Sequence, residues 1–282
     1  MSRPPVDVVI PVAGDAAQVA DAVTRARGLA LREGDTLTVV DNRGRGVADA
    51  DVLVADAVHT SYFARNAGAR RGSAPWLLFL DADVRAPAGL LDRLFAVEPG
   101  VRTAVLAGAI VDEPAGPGAA VALRYAELKG SKAQDLHGRW AFAETANCAV
   151  RREPFEALGG FREDVRSGGD ADLCWRLAAA GWELEGRSDA AVLHRNRASV
   201  AAMLGQRFRH GTGAGWLARE HPGAMPARRW PGLAWWSLRQ AAKGVAALAR
   251  GDRDGAIVGL LDAPAAWAFE LGRLVPNRPF RG

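Results

Sequence analysis

Three short, almost uninterrupted apolar runs dictate what this chain can become. Asp7–Val12 (DVVIPV), Thr36–Val40 (TLTVV) and Trp76–Leu80 (WLLFL) are rich in β-branched and aromatic residues and too short to be buried helices. A strand that is apolar on both faces has to be covered on both faces, which is the situation of a parallel sheet between two layers of helices. The intervening sequence supplies such helices. Ala, Val and Leu recur at helical spacing over residues 15–31, with Asp15 as the N-cap, and Phe63–Gly72 reads as a second, shorter helix. Asp51–Val54 adds a short strand. The pattern predicts an α/β fold built on a mostly parallel sheet flanked by helices.

The second half changes character. Residues 101–111 are strand-like, a Gly/Pro loop (EPAGPG) follows, and 119–129 reads as a helix. Residues 130–147 look irregular. Asp170–Ala180 is an amphipathic helix ended by Gly181, and Trp182–Leu184 and Ala191–Leu193 are short strands. From about Ser199 the chain is Arg- and Trp-rich helix interrupted by Gly and Pro. This divides the chain into a first domain over 1–200, with halves over about 1–100 and about 101–200, and a helical extension over 201–282.

Composition narrows the class. In 282 residues, 49% are hydrophobic, enough apolar surface to offset the entropy of ordering the chain, so disorder is excluded as the dominant state. Cys148 and Cys174 are too few for a disulfide framework and sit in apolar surroundings, as inert buried thiols do. The apolar run at the N-terminus is too short for a signal peptide, and no stretch of about 18 apolar residues is present to cross a membrane. The expectation is a cytoplasmic protein.

Ligands of open α/β sheets bind beyond the carboxyl ends of the strands. Two of those ends carry acids here, Asp41 after the second strand and the Asp81-Ala82-Asp83 trio after the WLLFL strand. A single acid at such a place is commonly a helix cap. Three at one edge point to a polar ligand and a cation. Hard divalent ions such as Mg²⁺ and Mn²⁺ take oxygen ligands and keep positions for substrate phosphates, so this edge suits a metal bridging protein and diphosphate.

Several segments, in order, resemble family 2 glycosyltransferases of the GT-A fold, covering roughly residues 6–200. VVIPV opens the chain, VVDN ends in Asp41-Asn42, FARNAGAR resembles an A-R-N-x-G element, LLFLDADV matches a D-x-D, TANCAVRREPFEALGGFRED resembles an acceptor-side segment, and GGDADLCWRL is similar to G-E-D-x-D-L-x-x-R-L. The resemblance implies a hexosyltransferase-type enzyme that moves a sugar from a UDP- or GDP-sugar, UDP preferred, to an acceptor hydroxyl with inversion. It assigns donor contacts to Pro11, Val12, Asp41, Arg65, Asn66, Asp81, Ala82 and Asp83. Metal ligation of Mn²⁺ or Mg²⁺ falls to Asp81 and Asp83, with His194 as a further ligand or as a structural hydrogen-bonder. Asp170 becomes the general base. The acceptor side takes Asn147, Gly169, Asp172 and Arg176, and Gly169 stands where the family commonly has Glu. Asp172, in the first turn of its helix, could equally serve only the helix dipole.

Trp140 and Phe142 are candidates to stack on a sugar or acceptor, or are core aromatics. Between Arg195 and Arg229 there are seven Arg, no Lys and a single acid, Glu220, an excess suited to a diphosphate, an anionic acceptor or a lipid surface, or forming simply a solvated basic face. Within it, QRFRHGTGAGW resembles a stretch following the catalytic domain in relatives, and places Gln206, Arg209 and His210 on the acceptor side. The Trp-rich helices beyond it either pack on the catalytic domain or lie peripherally on the inner face of the membrane. The acceptor class (glycan, lipid carrier, peptide or small metabolite) is open, and nucleic acid is disfavoured by the absence of a recognition motif. A dehydrogenase should show G-x-G-x-x-G after the first strand, where this chain has PVAGDAA. A nucleotide-sugar pyrophosphorylase should show a Gly-rich basic loop there. The remaining alternative is a degenerate transferase that, without turnover, acts as a nucleotide-sugar binding or scaffolding protein.

Overall fold

The structure is a computed structural model that describes residues 3–130, 134, 136–227 and 229–279. In chain order the elements are β1 (Val6–Val12), α1 (Ala16–Ala26), β2 (Thr36–Asp41), β3 (Val52–Val54), α2 (Ser61–Ala69), β4 (Trp76–Leu80), β5 (Val84–Arg85), α3 (Leu90–Leu94), β6 (Thr103–Asp112), α4 (Val121–Lys129), β7 (Asn147–Arg151), α5 (Arg152–Ala157), α6 (Gly169–Ala179), β8 (Glu183–His194), α7 (Val200–Glu220), α8 (Trp230–Ala249) and α9 (Arg253–Gly272). They form two compact units: Met1–Val111 with Lys132–His194 and Arg278–Gly282, and Asp112–Ser131 with Arg195–Asn277.

The first unit is an α/β structure around one sheet with strand order β3-β2-β1-β4-β7-β6-β8-β5. The three apolar runs are its parallel part: β1 pairs in parallel with β2 and with β4, and β2 with β3. Beyond β4 the sheet turns antiparallel, with β7 against β4, β6 against β7, and β5 against β8. Val6, Val8, Ile10 and Val12 face α1, where Val19, Ala22, Val23 and Ala26 complete the layer. Burying each Val or Ile among them contributes about 1.5–3 kcal/mol. Asp15 caps α1 as predicted, its carboxylate accepting from Gln18 N at 2.9 Å while Gln18 Oε1 accepts from Asp15 N at 2.9 Å. On the opposite face Phe79 meets Phe155 and Phe161, with ring centroids 5.7 and 5.1 Å away.

Two strands depart from the expected pattern. Asn147–Arg151 is a buried central strand, β7, and of the segment 130–147 residues 131–133 and 135 lie outside the described residues. Glu183–His194 is one 12-residue strand rather than two short ones; its polar middle (EGRSD) lies mostly at the surface, and only Ala190 and Val192 are fully buried. At the amino end of β1, Asp7 is buried and accepts from Arg152 Nη2 at 2.5 Å, Thr36 Oγ1 at 2.6 Å and Ala74 N at 2.9 Å. This ties the starts of β1, β2 and β4 to α5.

The second unit consists of α4, α7, α8 and α9. The GTGAG stretch does not interrupt α7, which runs unbroken from Val200 to Glu220. Its glycines are contact points instead. A Cβ on Gly211 or Gly215 would collide with the carbonyl oxygens of Phe269 and Arg273, and one on Gly272 with that of Phe208. Mid-helix glycine costs about 1 kcal/mol relative to Ala, offset here by backbone-to-backbone approach. Gly244 and Gly259 make the same approach between α8 and α9. Asp262 is a buried hub on α9, accepting from Tyr125 Oη at 2.7 Å, Lys129 Nζ at 3.0 Å and Gln240 Nε2 at 2.9 Å. Arg228 of the Arg-rich stretch and residues 280–282 lie outside the described residues.

Candidate active site

The carboxyl edge of the parallel strands gathers the acids that the sequence singled out. Val12 lies in register with Asp41 and Leu80 with Asn147, so the ends of β1, β2 and β4 and the start of β7 share one edge. β5 follows Asp83 immediately, and its Val84 pairs with His194 at the end of β8. That register brings Asp83 Oδ1 to 3.8 Å from His194 Nε2. Asp81, two residues earlier, points elsewhere. It forms an ion pair with the buried Arg65 of α2.

Arg65 reaches that position because α2 lies unusually close to the sheet. A Cβ on Gly68 would fall inside contact distance of the Val9 and Val40 methyl groups, so only glycine lets the helix settle on β1 and β2. One turn before Arg65, Tyr62 packs under it, the guanidinium 5.6 Å from the ring centroid. Tyr62 Oη in turn lies 3.5 Å from Asp170 Oδ1, at the outer limit of a hydrogen bond. Asp170 therefore stands one aromatic ring away from the Arg65–Asp81 pair, at the first turn of α6. Burial pushes its carboxyl above the ordinary carboxylate range, and the charge of Asp81 adds to this, while the Ala171 N–H and Arg65 act against it.

Other candidates are engaged in structure. Asp41 is buried and folds the following loop onto itself, accepting from Arg43 N at 2.9 Å and Arg45 N at 2.5 Å. Asn66 fixes the loop before α6, its amide donating to Phe161 O at 2.8 Å and Glu163 Oε1 at 2.9 Å while its oxygen accepts from Phe161 N at 3.0 Å. The fully buried Asn147 donates to the carbonyls of Ala109 at 3.0 Å and Ala190 at 2.8 Å. Asp172 accepts from Arg176 Nε at 2.8 Å, and the same guanidinium donates to Leu158 O at 3.0 Å and Gly160 O at 2.8 Å. That pair clamps the 158–160 turn. Ala82 offers its carbonyl to Arg25 Nη2 at 2.9 Å. Pro11 is half-buried and Val12 is in the core.

Trp140 and Phe142 both meet Trp175 of α6 edge-on, with centroids 4.9 and 6.5 Å apart. Burial raises both cysteine thiols, that of Cys174 to about 12, so neither is a nucleophile at neutral pH. Gln206, Arg209 and His210 are on α7, in the second unit. A cavity of about 600 Å³ lies at the other end of β2, lined by Arg27, Thr36, Asp51 and Arg71 among others, away from the acidic edge. Sequence reasoning missed Tyr62, since an isolated tyrosine in a helix carries no signal of what its hydroxyl will meet.

Among the described residues no three His, Cys, Asp or Glu side chains converge as a ready metal cage. The Asp83–His194 pair nonetheless fits a divalent cation of the Mg²⁺ or Mn²⁺ type, which needs only one or two protein donors when substrate phosphates and water supply the rest.

No protein-family profile matches the chain. It is similar to the pre-mycofactocin glycosyltransferase of Mycobacterium tuberculosis, 31% identical over 229 residues, covering 77% of this chain and 48% of that protein. It is also 29% identical over 163 residues to glycosyltransferase AglE of Haloferax volcanii, covering 58% of this chain and 53% of that one. The chain thus spans about half the length of the curated relatives it matches. Among solved structures, a mannosyltransferase from Pyrobaculum calidifontis, PcManGT, in complex with GDP-Man and Mn²⁺, shares the fold. Its TM-score is 0.56 at 16% identity, over 96% of this chain and 73% of that one.

Proposed function

We propose that this chain is a glycosyltransferase that moves a sugar from a nucleoside-diphosphate donor to an acceptor hydroxyl with inversion. The observation that carries the reading is the meeting, at one sheet edge, of an Asp83–His194 pair with a buried Arg65 and a carboxyl group, Asp170, whose affinity for protons is raised. The relatives' names support the activity, and the GDP-Man and Mn²⁺ held by the solved neighbour support a nucleotide-sugar and a divalent cation. A bound cation held by Asp83 and His194 would neutralise charge growing on the departing diphosphate. Arg65 supplies a second, permanent positive charge on the same side. Asp170 accepts the acceptor's proton as its oxygen bonds to the anomeric carbon, while the bond from that carbon to the diphosphate oxygen breaks. Attack opposite the leaving group inverts the anomeric centre, and a base with a raised pKa is suited to this proton transfer near neutral pH.

The test is calorimetric titration of UDP, GDP and their sugar conjugates with Mn²⁺ or Mg²⁺ present and then chelated. Cation-dependent binding of one nucleotide, abolished by Asp83→Ala with His194→Ala, is the expected result. Binding by no nucleotide under either condition overturns the reading and leaves a scaffolding role.

Peripheral contact with an anionic membrane is the partner we assign to α8. Trp235, Leu238, Val245 and Leu248 are 64%, 66%, 59% and 60% exposed and form a stripe along it. Helical spacing sets Arg239, Lys243 and Arg250 along one flank of that stripe, and residues 229–251 contain no acid. An apolar face edged by cations is complementary to anionic lipid headgroups. Among the described residues no helix is long and apolar enough to cross a membrane. Sedimentation should find the protein on phosphatidylglycerol vesicles and not on phosphatidylcholine ones, with binding lost in Trp235→Glu/Leu238→Glu. Equal recovery with both vesicle types, or self-association through this face, would refute the assignment.

A further inference from the structure

Tyr62 is a buried phenol whose hydroxyl has no part in the transfer chemistry above. It stands in the first turn of α2, its ring tilted against Phe161 at 5.5 Å and lying under Arg65. The phenol oxygen approaches Asp170 Oδ1 at 3.5 Å, in the first turn of α6. That helix has no side-chain cap of its own. Its N-cap is Gly168, at φ 83°, with no side chain to offer. The first N–H groups of a helix need acceptors from somewhere. Asp170 Oδ1 accepts from Ala171 N at 3.0 Å, and the Tyr62 ring reaches this turn from a different helix.

Gly169 is what admits it. A Cβ at that position would stand 2.8 Å from Tyr62 Cζ and 2.9 Å from Cε1 and Cε2, so the ring and any side chain at 169 exclude one another. Ring carbons in a buried aromatic cluster cannot swing aside as the end of a flexible chain would. The space in front of Asp170 is therefore filled by a phenol reaching over from α2.

We propose that Tyr62 is the positioning residue for the general base: admitted by Gly169, its hydroxyl reaches the first turn of α6 and holds the Asp170 carboxylate toward the acceptor. The inference rests on the reading of Asp170 as that base. The phenol hydroxyl donates its proton, and the Asp170 carboxylate is the acceptor in reach. Burial, reinforced by the Asp170 charge, raises the phenol's own ionisation, so it stays a donor throughout the working range. The other groups acting on Asp170 are Arg65 and Asp81, together with the thiols of Cys148 and Cys174, which burial keeps neutral.

Tyr62→Phe keeps the ring, the Phe161 contact and the fit to Gly169, and removes only the hydroxyl. We expect kcat to fall about tenfold, the loss of one hydrogen bond to a charged group, with donor KM unchanged. The acid limb of the kcat–pH profile should move to higher pH, because a donated hydrogen bond favours the charged carboxylate. A second readout needs no substrate: in protein labelled with ¹³C-aspartate, the carboxyl resonance missing from Asp170→Asn should titrate at higher pH in Tyr62→Phe than in the wild type. Wild-type kcat in Tyr62→Phe, or an unmoved Asp170 midpoint, overturns the proposal. If the wild-type protein transfers no sugar, the base reading itself fails. That outcome differs from one in which Asp170→Asn is inactive and Tyr62→Phe is not.

Discussion

Asp170→Asn separates chemistry from structure at a single position. Asparagine has nearly the same shape, and its oxygen can accept from Ala171 N, now at 3.0 Å from Asp170 Oδ1, and from Tyr62 Oη at 3.5 Å. The lost property is basicity. Removing a general base costs about 10²–10⁴ in rate, or about 2.7–5.4 kcal/mol of transition-state stabilisation. Donor binding should be preserved or slightly tighter, since a negative charge near Arg65 and Asp81 disappears. The effect on stability has a definite sign. Burial raises the carboxyl's pKa in the folded state, so the native protein holds the proton more tightly than the unfolded chain does. Stability is then fully present below the unfolded carboxylate pKa and is lost as pH rises through the folded one. The asparagine variant has no such slope, so it should equal the wild type in acid and melt higher at pH 7. The assays are steady-state transfer with a UDP- or GDP-sugar and thermal unfolding at pH 4 and pH 7. Activity within tenfold of wild type would refute the base assignment. A melting temperature lowered by several degrees at pH 7 would refute the account of its burial.

Asp7→Ala leaves Arg152, Thr36 and Ala74 N without their shared acceptor and should destabilise the first unit by about 3–5 kcal/mol in denaturant unfolding, with the acidic edge chemically intact. Gly68→Ala lifts α2 from Val9 and Val40; we expect about 1–3 kcal/mol of destabilisation and weaker nucleotide binding as Arg65 moves with it, read by calorimetry on the folded variant. Gly211→Leu should break the α7–α9 approach and lower the melting temperature while leaving nucleotide binding unchanged.

The parallel half of the sheet was legible because its strands are apolar on both faces, and nothing but a strand covered on both sides suits DVVIPV or WLLFL. The antiparallel half was harder to read. β7 (NCAVR) is only five residues long and is central because Leu77–Leu80 of β4 already offer an edge to pair with, a fact no local window contains. β8 shows a long polar middle that imitates a loop, since it gains its hydrogen bonds from neighbours and not from an apolar face. The glycines of α7 looked like helix breakers. They are compatible with helix because the partner backbone of α9 lies against them, and propensity alone cannot report a partner.

At the site, residue identity was easier to read than residue task. The acids and Arg65 do come to one edge, yet Asp41, Asn66, Asn147, Asp172 and Arg176 spend their hydrogen bonds on loops and strands of the same unit. These are the residues that make the edge rigid. Asn66 and Arg176 both grip the 158–161 segment, which leads into α6, and thereby set where Asp170 stands. A motif therefore mixes side chains that meet substrate with side chains that hold those in place, and sequence spacing does not distinguish them. Gly169 shows why. Read along the chain it is a position without a side chain next to Asp170, but in space that volume is occupied by Tyr62, more than a hundred residues earlier. What a position lacks in its own residue can be supplied across the fold, and only the packing reveals it.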